Sequence, residues 1–550
     1  MIENGYLSLV QTTLKDNTAR KAFSDFQGET ITYGQVGERI QGIHQLFKEI
    51  GIKKGDKVAL IGRNMTSWGV VYLATITYGA VIVPILPDFN SADIHHIVNH
   101  SESKVLFSTD LLFDKLDETK MQKLIGIMSI NRCVSLVDNS GGFFTKAVEK
   151  ANKYLKGDGS LFDFESLDFP AIGADELMVL SYTSGTSGFS KGVLLPHRSI
   201  WSNIVYAREH LILQPEERIV SFLPLAHAYG CLFEFLWPFT VGCHITFLTR
   251  TPSPQIITQA FREVKPHIIL SVPLILEKIF KKRVQPQLEE TKIKTLTKIP
   301  VLNKVVYSKI RNKLVETFGG EFREMIIGGA ALNKDVEMFL RKIGFPFTIG
   351  YGMTECGPLI SYAPWTESRK FSAGQLVDRM EVKIDSEDPY NTVGEILVKG
   401  ENTLLGYYKN QEATDEIFDS KGWLHTGDLG VIDEDNFIYI KGRSKNMLLG
   451  PSGQNIYPEE IEAVINSMEY VQECLVRDHD GKLEALIYPD YEVTDSEGLN
   501  KAQIEQKLQE IKKQANAQLP AYMNIQLVTL FPEEFEKTPK KSIKRYKYVK

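Results

Sequence analysis

The chain has 550 residues, of which 43% are hydrophobic and 24% charged, and its net charge is -6 at pH 7. This length exceeds what one hydrophobic core supports, so we expect a main body of several lobes and a smaller domain. The acidic balance argues against nucleic acid as a partner. The five cysteines are scattered, and the start lacks a basic region followed by a long apolar run. Both features favour a cytoplasmic protein without a disulfide framework.

Helix-like and strand-like patterns alternate through the first part of the chain. Residues 35–51 have helical apolar spacing, and residues 56–62 resemble a buried strand. Residues 70–87 are almost long enough to span a bilayer, but polar, glycine and proline residues interrupt them. A helix followed by a buried strand is therefore predicted there, and any membrane contact is expected to be peripheral. The alternation predicts α/β layers with largely parallel sheets.

The pattern changes towards shorter strands further along the chain. Three strands are predicted at 394–400, 428–433 and 436–442, and Glu434-Asp435 suits a hairpin turn between the last two. This portion of the main body is therefore expected to be rich in β structure.

The last hundred or so residues have a pattern of their own. After a turn-prone segment at 450–453, the sequence predicts a helix at 458–468, strands at 474–478 and 483–489, and a helix at 503–519. We therefore expect an N-terminal domain at 1–443 and a small α+β domain at 444–550.

The stretch YTSGTSGFSKGV, residues 182–193, has the composition of an anion-binding loop. It is not a Walker loop, because Lys191 follows Ser190 and precedes Gly192, and a strand-like run comes next instead of a helix. Its glycines allow backbone N–H groups to turn towards one anion, and its hydroxyls and lysine add donors. The residues of this loop alone leave a polyphosphate site and a flexible surface turn equally open.

Four further segments follow in a specific order: GGAAL (328–332), GYGMTECGP (350–358), WLHTGDLG (423–430) and GRSKNMLLGPSGQNIYPEEIE (442–462). With the loop, they resemble the motifs of the adenylate-forming (AMP-binding) superfamily, and the likeness is greatest to bacterial long-chain fatty acyl-CoA synthetases. The resemblance covers the chain from about residue 30 to its end. It implies a large N-terminal body of α/β subdomains and a small, mobile α+β C-terminal domain.

The resemblance also implies a reaction in two halves. A carboxylate attacks the α-phosphate of ATP, giving acyl-AMP and pyrophosphate, and the thiol of coenzyme A then displaces AMP. ATP, Mg²⁺ and coenzyme A are the implied cofactor and co-substrates, and a fatty acid is the implied small-molecule substrate.

Site residues are carried over from the resemblance position by position. Glu355 would bind Mg²⁺ with help from Thr183, and Thr354 would contact the α-phosphate. Asp428 would accept hydrogen bonds from the ribose hydroxyls, Arg443 would contact ribose or phosphate, and His227 would lie beside the acyl carboxylate. The phosphate loop would comprise Thr183, Ser184, Gly185, Thr186, Ser187, Gly188 and Lys191. The adenine and acyl-adenylate pocket would be lined by Gly329, Ala330, Tyr351 and Gly352, with 328–332 as a strand.

Each of these residues also has a purely structural interpretation. Asp428 could cap a strand end, Glu355 could be a solvated loop carboxylate, and a lone histidine is more often structural than catalytic. Cys243-His244 has no second pair at metal-ligand spacing, so a buried or incidental role is expected for it.

The acid substrate is indicated by the segment between the predicted strand at 268–273 and residue 328. Long-chain acyl-CoA synthetases have a similar basic, helical insert there, which favours a medium- or long-chain fatty acid. A solvated pair of helices is the alternative. An enzyme that loads a carrier-protein thiol, or that activates an aryl acid, also stays open.

The chain departs from the family pattern at three positions. Ser190 replaces a frequent proline, and Asn446 replaces the usual acid beside the hinge residue Lys445. Near the end, Ser542 stands where the family has the lysine that bridges carboxylate and phosphate, and Lys541 is the predicted substitute. These departures leave open a degenerate chain that binds nucleotide or acyl-adenylate without efficient turnover. The last fourteen residues hold seven basic groups and no acid, which predicts either a solvated tail or contact with phosphates or an anionic membrane surface.

Overall fold

An eight-stranded sheet forms the centre of the N-terminal body. The computed structural model describes residues 5–164, 167, 169–183, 191–284, 286, 300–449, 454–538 and 542–549. In sheet order, the eight strands are Gly406–Tyr407, Lys191–Pro196, Leu177–Thr183, Val81–Ile85, Lys57–Ile61, Val105–Ser108, Gly126–Ser129 and Val134–Asp138.

The four central strands and Leu177–Thr183 run parallel, and the sheet ends in antiparallel pairs. The central strands are buried along almost their whole length, because separate hydrophobic clusters cover both faces of the sheet. One cluster includes the helices Tyr33–Glu49 and Thr66–Thr77, and the other includes the helix Ser91–His100. The helix and buried strand predicted within 70–87 are both present.

The described residues of the body form four further sheets. A mixed sheet contains Arg218–Ser221, His244–Phe247, Lys21–Asp25 and Thr30–Thr32. A parallel sheet contains Ile268–Ser271, Glu324–Ile327 and Phe347–Ile349. A small antiparallel sheet contains Tyr351–Gly352, Leu359–Tyr362 and Gln375–Leu376. A larger antiparallel sheet contains Met380–Asp385, Gly394–Gly400, Leu424–Ile432 and Ile438–Arg443. The last sheet confirms the predicted β-rich portion.

The helices begin where capping side chains are available. Thr32 and Gln35 form a capping box before Tyr33–Glu49, and Asn500 and Gln503 form one before Lys501–Gln518. The α-helices of the described body are Tyr6–Asp16, Tyr33–Glu49, Thr66–Thr77, Ser91–His100, Asp110–Phe113, Phe143–Leu155, His197–His210, Ala228–Gly230, Trp237–Val241, Pro254–Val264, Pro273–Ile279, Pro300–Thr317, Lys334–Ile343 and Gln411–Ile417. Two π-helical segments, Cys231–Leu236 and Phe280–Val284, extend short α-helices.

The C-terminal elements follow the predicted α+β order. The strands are Leu448–Leu449, Asn455–Ile456, Val471–His479, Lys482–Pro489 and Leu527–Leu530, and the helices are Pro458–Asn466, Tyr491–Ser496 and Lys501–Gln518. They share one hydrophobic cluster, to which Leu429 of the body also belongs. The domain boundary near Arg443 stays a prediction.

Two predicted strands need correction. Residues 328–332 are not a strand, because the strand Glu324–Ile327 ends before them and Gly329 has a left-handed φ of +87°. The strand predicted at 268–273 ends at Ser271, and Pro273 begins a helix. Among the described residues, no helix combines the length and apolarity needed to cross a membrane.

Candidate active site

A β-hairpin presents the two ends of the predicted phosphate loop. Thr183 ends one strand and Lys191 begins the next, and the two residues are directly paired in the antiparallel register. Both are half-buried. The predicted phosphate contacts Ser184, Gly185, Thr186, Ser187 and Gly188 lie outside the described residues. The hairpin therefore places the hydroxyl and the ammonium group at one edge of the large sheet, and the strand after the loop confirms that this is not a Walker loop.

Tyr407 connects Lys191 with Glu355. The Tyr407 hydroxyl donates a hydrogen bond to Oε1 of Glu355 over 2.9 Å. Nζ of Lys191 lies 5.0 Å from the centre of the Tyr407 ring, within the range of a cation–π contact. Glu355 lies in the short 3-10 turn Thr354–Cys356. Lys191 and Glu355 thus contact the same side chain, and Thr354 directly precedes Glu355 in the turn.

The oxygen atoms of this region suit a hard divalent cation. Glu355 offers a carboxylate and Thr183 a hydroxyl, and Mg²⁺ prefers a small number of such protein oxygens together with water and phosphate oxygens. The Tyr407 hydrogen bond orients the carboxylate from the protein side. The donor set therefore fits the implied Mg²⁺.

A second group of site residues surrounds Asp428. Asp428 is only 4% exposed. Tyr351 donates to its Oδ2 over 2.7 Å, and Nε of Arg443 lies 2.9 Å from its Oδ1. Asp428 and Arg443 are paired across neighbouring antiparallel strands, and the Arg443 side chain is 62% exposed. The Asp428 carboxylate is thus buried, whereas the neighbouring Arg443 guanidinium reaches solvent. This arrangement suits a ligand with hydroxyl or phosphate groups.

Burial raises the pKa of Asp428, while Arg443 and the Tyr351 hydroxyl oppose the increase. The charges of Glu459 and Glu355 raise this pKa further, so these carboxylates are within electrostatic reach of Asp428. Burial, and then the charge of Asp428, raises the pKa of Tyr351 well above its ordinary value, so Tyr351 remains a donor. A bound cation or hydrogen-bond donors beside Asp428 would therefore favour its ionised form.

The predicted adenine segment is an exposed loop between a strand and a helix. Gly329 and Ala330 are exposed, and the helix Lys334–Ile343 follows. At Gly352, also exposed, a Cβ atom would lie 2.1 Å from the carbonyl oxygen of Pro358, so only glycine fits. Tyr351 beside it is buried. The structure thus leaves three of the four predicted pocket residues accessible to a ligand.

His227 borders an apolar cavity of 20 Å³, a volume close to that needed for one water molecule. His227 is half-buried, directly before a helix that continues into the π-helical segment Cys231–Leu236. Glu234 of that segment accepts hydrogen bonds from the N–H groups of Phe222 and Leu223, each over 3.0 Å, and so holds the loop before His227. Besides His227, the cavity is lined by Tyr72, Pro84, Val179, Ser181, Leu195, Ile200, Leu225, Ala226, Ala228, Cys231, Leu232 and Leu236.

The hinge residues and the chain end form separate contacts. Lys445 is exposed in the 3-10 turn Ser444–Asn446, and Nδ2 of Asn446 donates to Oε1 of Glu459 over 2.5 Å. Glu459 thus supplies a carboxylate next to the position where the family acid is missing. Ser542 is exposed, and the predicted catalytic residue Lys541 lies outside the described residues.

The basic chain end is not simply a solvated tail. Its described basic residues form ion pairs with glutamates of the same domain. These pairs are Lys537 with Glu473, Lys544 with Glu536, Arg545 with Glu462 and Lys547 with Glu536. Lys537 and Arg545 are mostly buried in their pairs, whereas Lys547 stays exposed to solvent.

Lys281 and Asn333 of the body donate hydrogen bonds to backbone carbonyls of the C-terminal domain. Nζ of Lys281 donates to the carbonyl oxygens of Asn466 and Val471 over 3.2 and 3.4 Å. Nδ2 of Asn333 donates to the carbonyl oxygen of Ala463 over 3.2 Å. Burial lowers the pKa of Lys281. These donors hold the helix Pro458–Asn466 against the body at its carbonyl end.

The Cys243-His244 pair has structural partners. Cys243 donates to the carbonyl oxygen of Gln214 over 3.4 Å, and Nε2 of His244 lies 2.7 Å from Oγ of Ser24. In the described part of the chain, metal-ligand spacing occurs only in an exposed group of three residues, Glu209, His210 and Asp378, away from this pair. The structural interpretation of Cys243-His244 is thus supported.

Comparison with known families decides the identity of the chain. The family described as AMP-binding enzyme matches residues 10–408. The chain belongs to this AMP-binding enzyme family. The family described as AMP-binding enzyme C-terminal domain matches residues 446–550. The AMP-binding chain is thus a member of the adenylate-forming acid–CoA ligase superfamily, as the five sequence motifs implied.

Two similar relatives of the AMP-binding chain have names that specify long-chain acids. The long-chain-fatty-acid–CoA ligase of Salmonella typhimurium is 29% identical over 467 residues, which cover 81% of this chain and 78% of the relative. The peroxisomal long chain acyl-CoA synthetase 7 of Arabidopsis thaliana is 28% identical over 554 residues, which cover 92% of this chain and 77% of the relative.

Solved structures confirm the fold class of the AMP-binding chain. The o-succinylbenzoate CoA synthetase MenE of Bacillus subtilis, in complex with its acyl-adenylate intermediate, has a TM-score of 0.77 at 19% identity, with coverage of 100% of this chain and 98% of that chain. ATP-bound MatB of Rhodopseudomonas palustris has a TM-score of 0.75 at 22% identity, with coverage of 99% and 98%. Family membership also confirms ATP, Mg²⁺ and coenzyme A as the implied cofactor and co-substrates. The individual roles of the site residues stay predictions.

Sequence reasoning missed two residues of this region, Tyr407 and Glu459. Tyr407 is 52 positions from its partner Glu355, and Glu459 is 13 positions from Asn446. Neither belongs to a helical or strand periodicity that marks a site. For Tyr407, the remaining local signal is the sequence Gly406-Tyr407-Tyr408, which resembles an ordinary turn.

Proposed function

We propose that this enzyme activates a medium- or long-chain fatty acid to acyl-AMP and transfers the acyl group to coenzyme A. The proposal rests on one hairpin that contributes both to the predicted phosphate loop and to the apolar cavity. The strand Leu177–Thr183 leads into the phosphate loop at one end, and Val179 and Ser181 of the same strand line the apolar cavity beside His227. One strand therefore connects the predicted phosphate loop with the apolar cavity.

In the first half-reaction, an oxygen of the fatty acid carboxylate forms a bond to the α-phosphorus of ATP. The bond from that phosphorus to the bridging oxygen breaks, and pyrophosphate leaves. Lys191 and the loop would bind the phosphates, Thr354 would donate to the α-phosphate, and Asp428 would fix the ribose. Mg²⁺, when bound by Glu355 and Thr183, would supply positive charge to the phosphates. The protein thus contributes mainly orientation and charge stabilisation.

In the second half-reaction, the thiol sulfur of coenzyme A forms a bond to the acyl carbon. The bond from that carbon to the AMP oxygen breaks, and the thiol loses its proton. We propose that the C-terminal domain, from residue 444 onwards, rotates about Lys445 between the two half-reactions. The exposed 3-10 turn at Ser444–Asn446 supports this role, because few packed side chains oppose a backbone change there.

The length of the acid is supported by two observations. The two named long-chain relatives are 29% and 28% identical to the chain over 81% and 92% of its length. The cavity lining beside His227 is almost wholly aliphatic and aromatic, which favours an alkyl chain over a polar acid. The cavity itself is too small for an alkyl chain, so binding requires its leucine side chains to move aside.

Acid-dependent ATP–pyrophosphate exchange with Mg²⁺ tests this proposal, across acids from acetate to oleate and including benzoate. We expect exchange to increase with chain length and the adenylate to transfer to coenzyme A rather than to acyl carrier protein. A maximum with benzoate, or transfer to the carrier protein alone, would support the corresponding alternative. If none of the acids supports exchange but the protein still binds ATP, the chain is a degenerate binding protein.

The lysine near the chain end provides a more specific test. We expect Lys541→Ala to lower the exchange rate about a hundredfold, the usual scale of a lost charge contact in a transition state. Ser542→Ala is the matched control and should leave the rate unchanged. If the two variants have equal pyrophosphate-exchange rates, Lys541 does not replace the family lysine.

A further inference from the structure

Residues 402–408 join the turn that contains Glu355 to the strand that follows the phosphate loop. The N–H group of Leu404 donates to the carbonyl oxygen of Glu355 over 2.8 Å. The N–H groups of Leu405 and Tyr408 donate to the carbonyl oxygens of Leu194 and Gly192 over 2.9 and 2.7 Å. The 402–408 segment is therefore bonded through its backbone to both predicted phosphate-side motifs.

The start of this segment is also fixed. Oγ of Ser199 donates to the carbonyl oxygen of Asn402 over 2.5 Å, and Nδ2 of Asn402 donates to the carbonyl oxygen of Leu359 over 2.7 Å. The N–H group of Tyr407 donates to Oγ1 of Thr414 over 2.9 Å. The backbone position of Tyr407 is thus determined on both sides by hydrogen bonds.

The Tyr407 side chain makes two different contacts from this fixed position. Its hydroxyl donates to Glu355, and its ring lies below the ammonium group of Lys191. A donor to one carboxylate oxygen selects one orientation of that carboxylate, and an aromatic face attracts a cation without removing its charge. Burial and the charge of Glu355 raise the pKa of Tyr407, so the hydroxyl keeps its proton at neutral pH.

We infer that Tyr407 is a positioning residue for the adenylation reaction: its hydroxyl orients Glu355 towards the metal ion and its ring positions Lys191 towards the phosphates of ATP. This inference rests on the proposed function, because it assumes that Glu355 and Lys191 face Mg²⁺ and ATP. Tyr407 does not itself contact the reacting atoms. The two contacts of one side chain predict two separable effects on nucleotide binding.

The two effects are separated by measuring the binding of α,β-methylene-ATP by calorimetry, once with Mg²⁺ and once with EDTA. Tyr407→Phe keeps the ring and removes the hydroxyl. We expect it to lower affinity in Mg²⁺ about tenfold, the scale measured when a hydrogen bond to a metal ligand is removed. Affinity in EDTA should stay within about twofold of wild type, because the ring contact is preserved.

Tyr407→Leu removes the ring as well. We expect it to lower the affinity in EDTA about threefold, in line with the loss of one cation–π contact. Tyr408→Phe is the matched control, because the Tyr408 hydroxyl contacts Glu102 at a distance of 3.1 Å on the protein surface. It should change neither affinity.

A double-mutant cycle tests whether Tyr407 acts through Glu355. In the Glu355→Gln background, Tyr407→Phe should have no further effect on the Mg²⁺-dependent gain in affinity. Equal losses in both backgrounds, or equal affinities of wild type and Tyr407→Phe in Mg²⁺, would overturn the inference. Equal loss with and without metal would also overturn it, because that result indicates a general packing role.

The same measurements distinguish this inference from the proposed function. Wild-type protein that binds the analogue but shows no acid-dependent exchange contradicts the proposed reaction and leaves the calorimetric test in force. Active wild-type protein with unchanged Tyr407→Phe binding contradicts only the positioning role.

Discussion

Asp428→Asn tests whether the buried carboxylate binds ribose or only stabilises the strand end. Each oxygen of Asp428 has one protein donor, Arg443 at 2.9 Å and Tyr351 at 2.7 Å. A carboxylate oxygen can accept a second hydrogen bond, so both ribose hydroxyls can donate to Asp428. In asparagine, one oxygen becomes an NH₂ group and can no longer accept either bond.

The expected loss follows from these bonds. A hydrogen bond to a charged group contributes about 1.5–3 kcal/mol. Losing one such bond and weakening the other costs about 3 kcal/mol, which corresponds to about a hundredfold weaker AMP binding. The lost pair with Arg443 adds little, because the arginine side chain is 62% exposed and exposed ion pairs contribute about 0–1 kcal/mol.

Stability is expected to change in the opposite direction. Burial raises the pKa of Asp428, so at neutral pH the folded state holds this charge less favourably than the unfolded state. Asparagine removes the charge, and the thermal midpoint should not decrease. Asp433→Asn is the matched control on the same hairpin. Burial alone would raise the pKa of Asp433, but hydrogen bonds from the Phe437 N–H and Arg369 outweigh it and lower the pKa.

The folded state therefore favours the ionised Asp433, and Asp433→Asn should lower the thermal midpoint while AMP affinity stays unchanged. Calorimetric titration with AMP and differential scanning calorimetry measure the two quantities. Wild-type AMP affinity in Asp428→Asn would refute the ribose assignment. A loss of stability in Asp428→Asn similar to that of Asp433→Asn would support the strand-end interpretation instead.

Three further predictions use other contacts. Burial raises the pKa of Asp428 and the Tyr351 hydroxyl opposes the increase, so Tyr351→Phe should raise this pKa further. When AMP binding is measured at decreasing pH, the variant should lose affinity at a higher pH than wild type does. An unchanged pH profile would argue against the contact. Lys281→Met removes two hydrogen bonds to the C-terminal domain, which together contribute about 1–3 kcal/mol. The ratio of the pyrophosphate-exchange rate to the thioester-formation rate should therefore change about tenfold. A ratio like that of wild type would show that this contact does not limit domain rotation. Ala228→Leu should block the space beside His227 that an alkyl chain needs, and so lower kcat/KM for long acids about tenfold with unchanged AMP affinity. Assays across a chain-length series measure this effect, and an even loss over all acids would contradict an acyl role.

Local sequence patterns predicted those features that depend on neighbouring residues. The hairpin at Glu434-Asp435, the C-terminal helices and the strand after Lys191 all follow from apolar periodicity and turn residues within a few positions. The strand predicted at 328–332 failed for a local reason as well. The family resemblance implied a strand there, but Gly329 adopts a left-handed conformation that ends the extended chain.

The partners of the site residues depend on tertiary contacts and could not be read from the sequence. Asp428 and Tyr351 are 77 positions apart, and nothing in either local pattern indicates that one donates to the other. The ion pairs of the chain end are another example. A run of lysines with no acid among them resembles a free tail, yet the glutamates that neutralise its described residues lie up to 83 positions earlier, as with Arg545 and Glu462.

Tyr407 also explains how a cation and a carboxylate can lie close together and both stay available to a ligand. A direct ion pair between Lys191 and Glu355 would satisfy each charge with the other, and nucleotide and metal would then have to break that pair before binding. Among the ion pairs of the described residues, none joins these two side chains. Instead, the phenol hydroxyl bonds the carboxylate and the ring face contacts the ammonium group. Both contacts are weaker than a buried ion pair, so each charge is oriented while most of its interaction energy remains for phosphate and Mg²⁺.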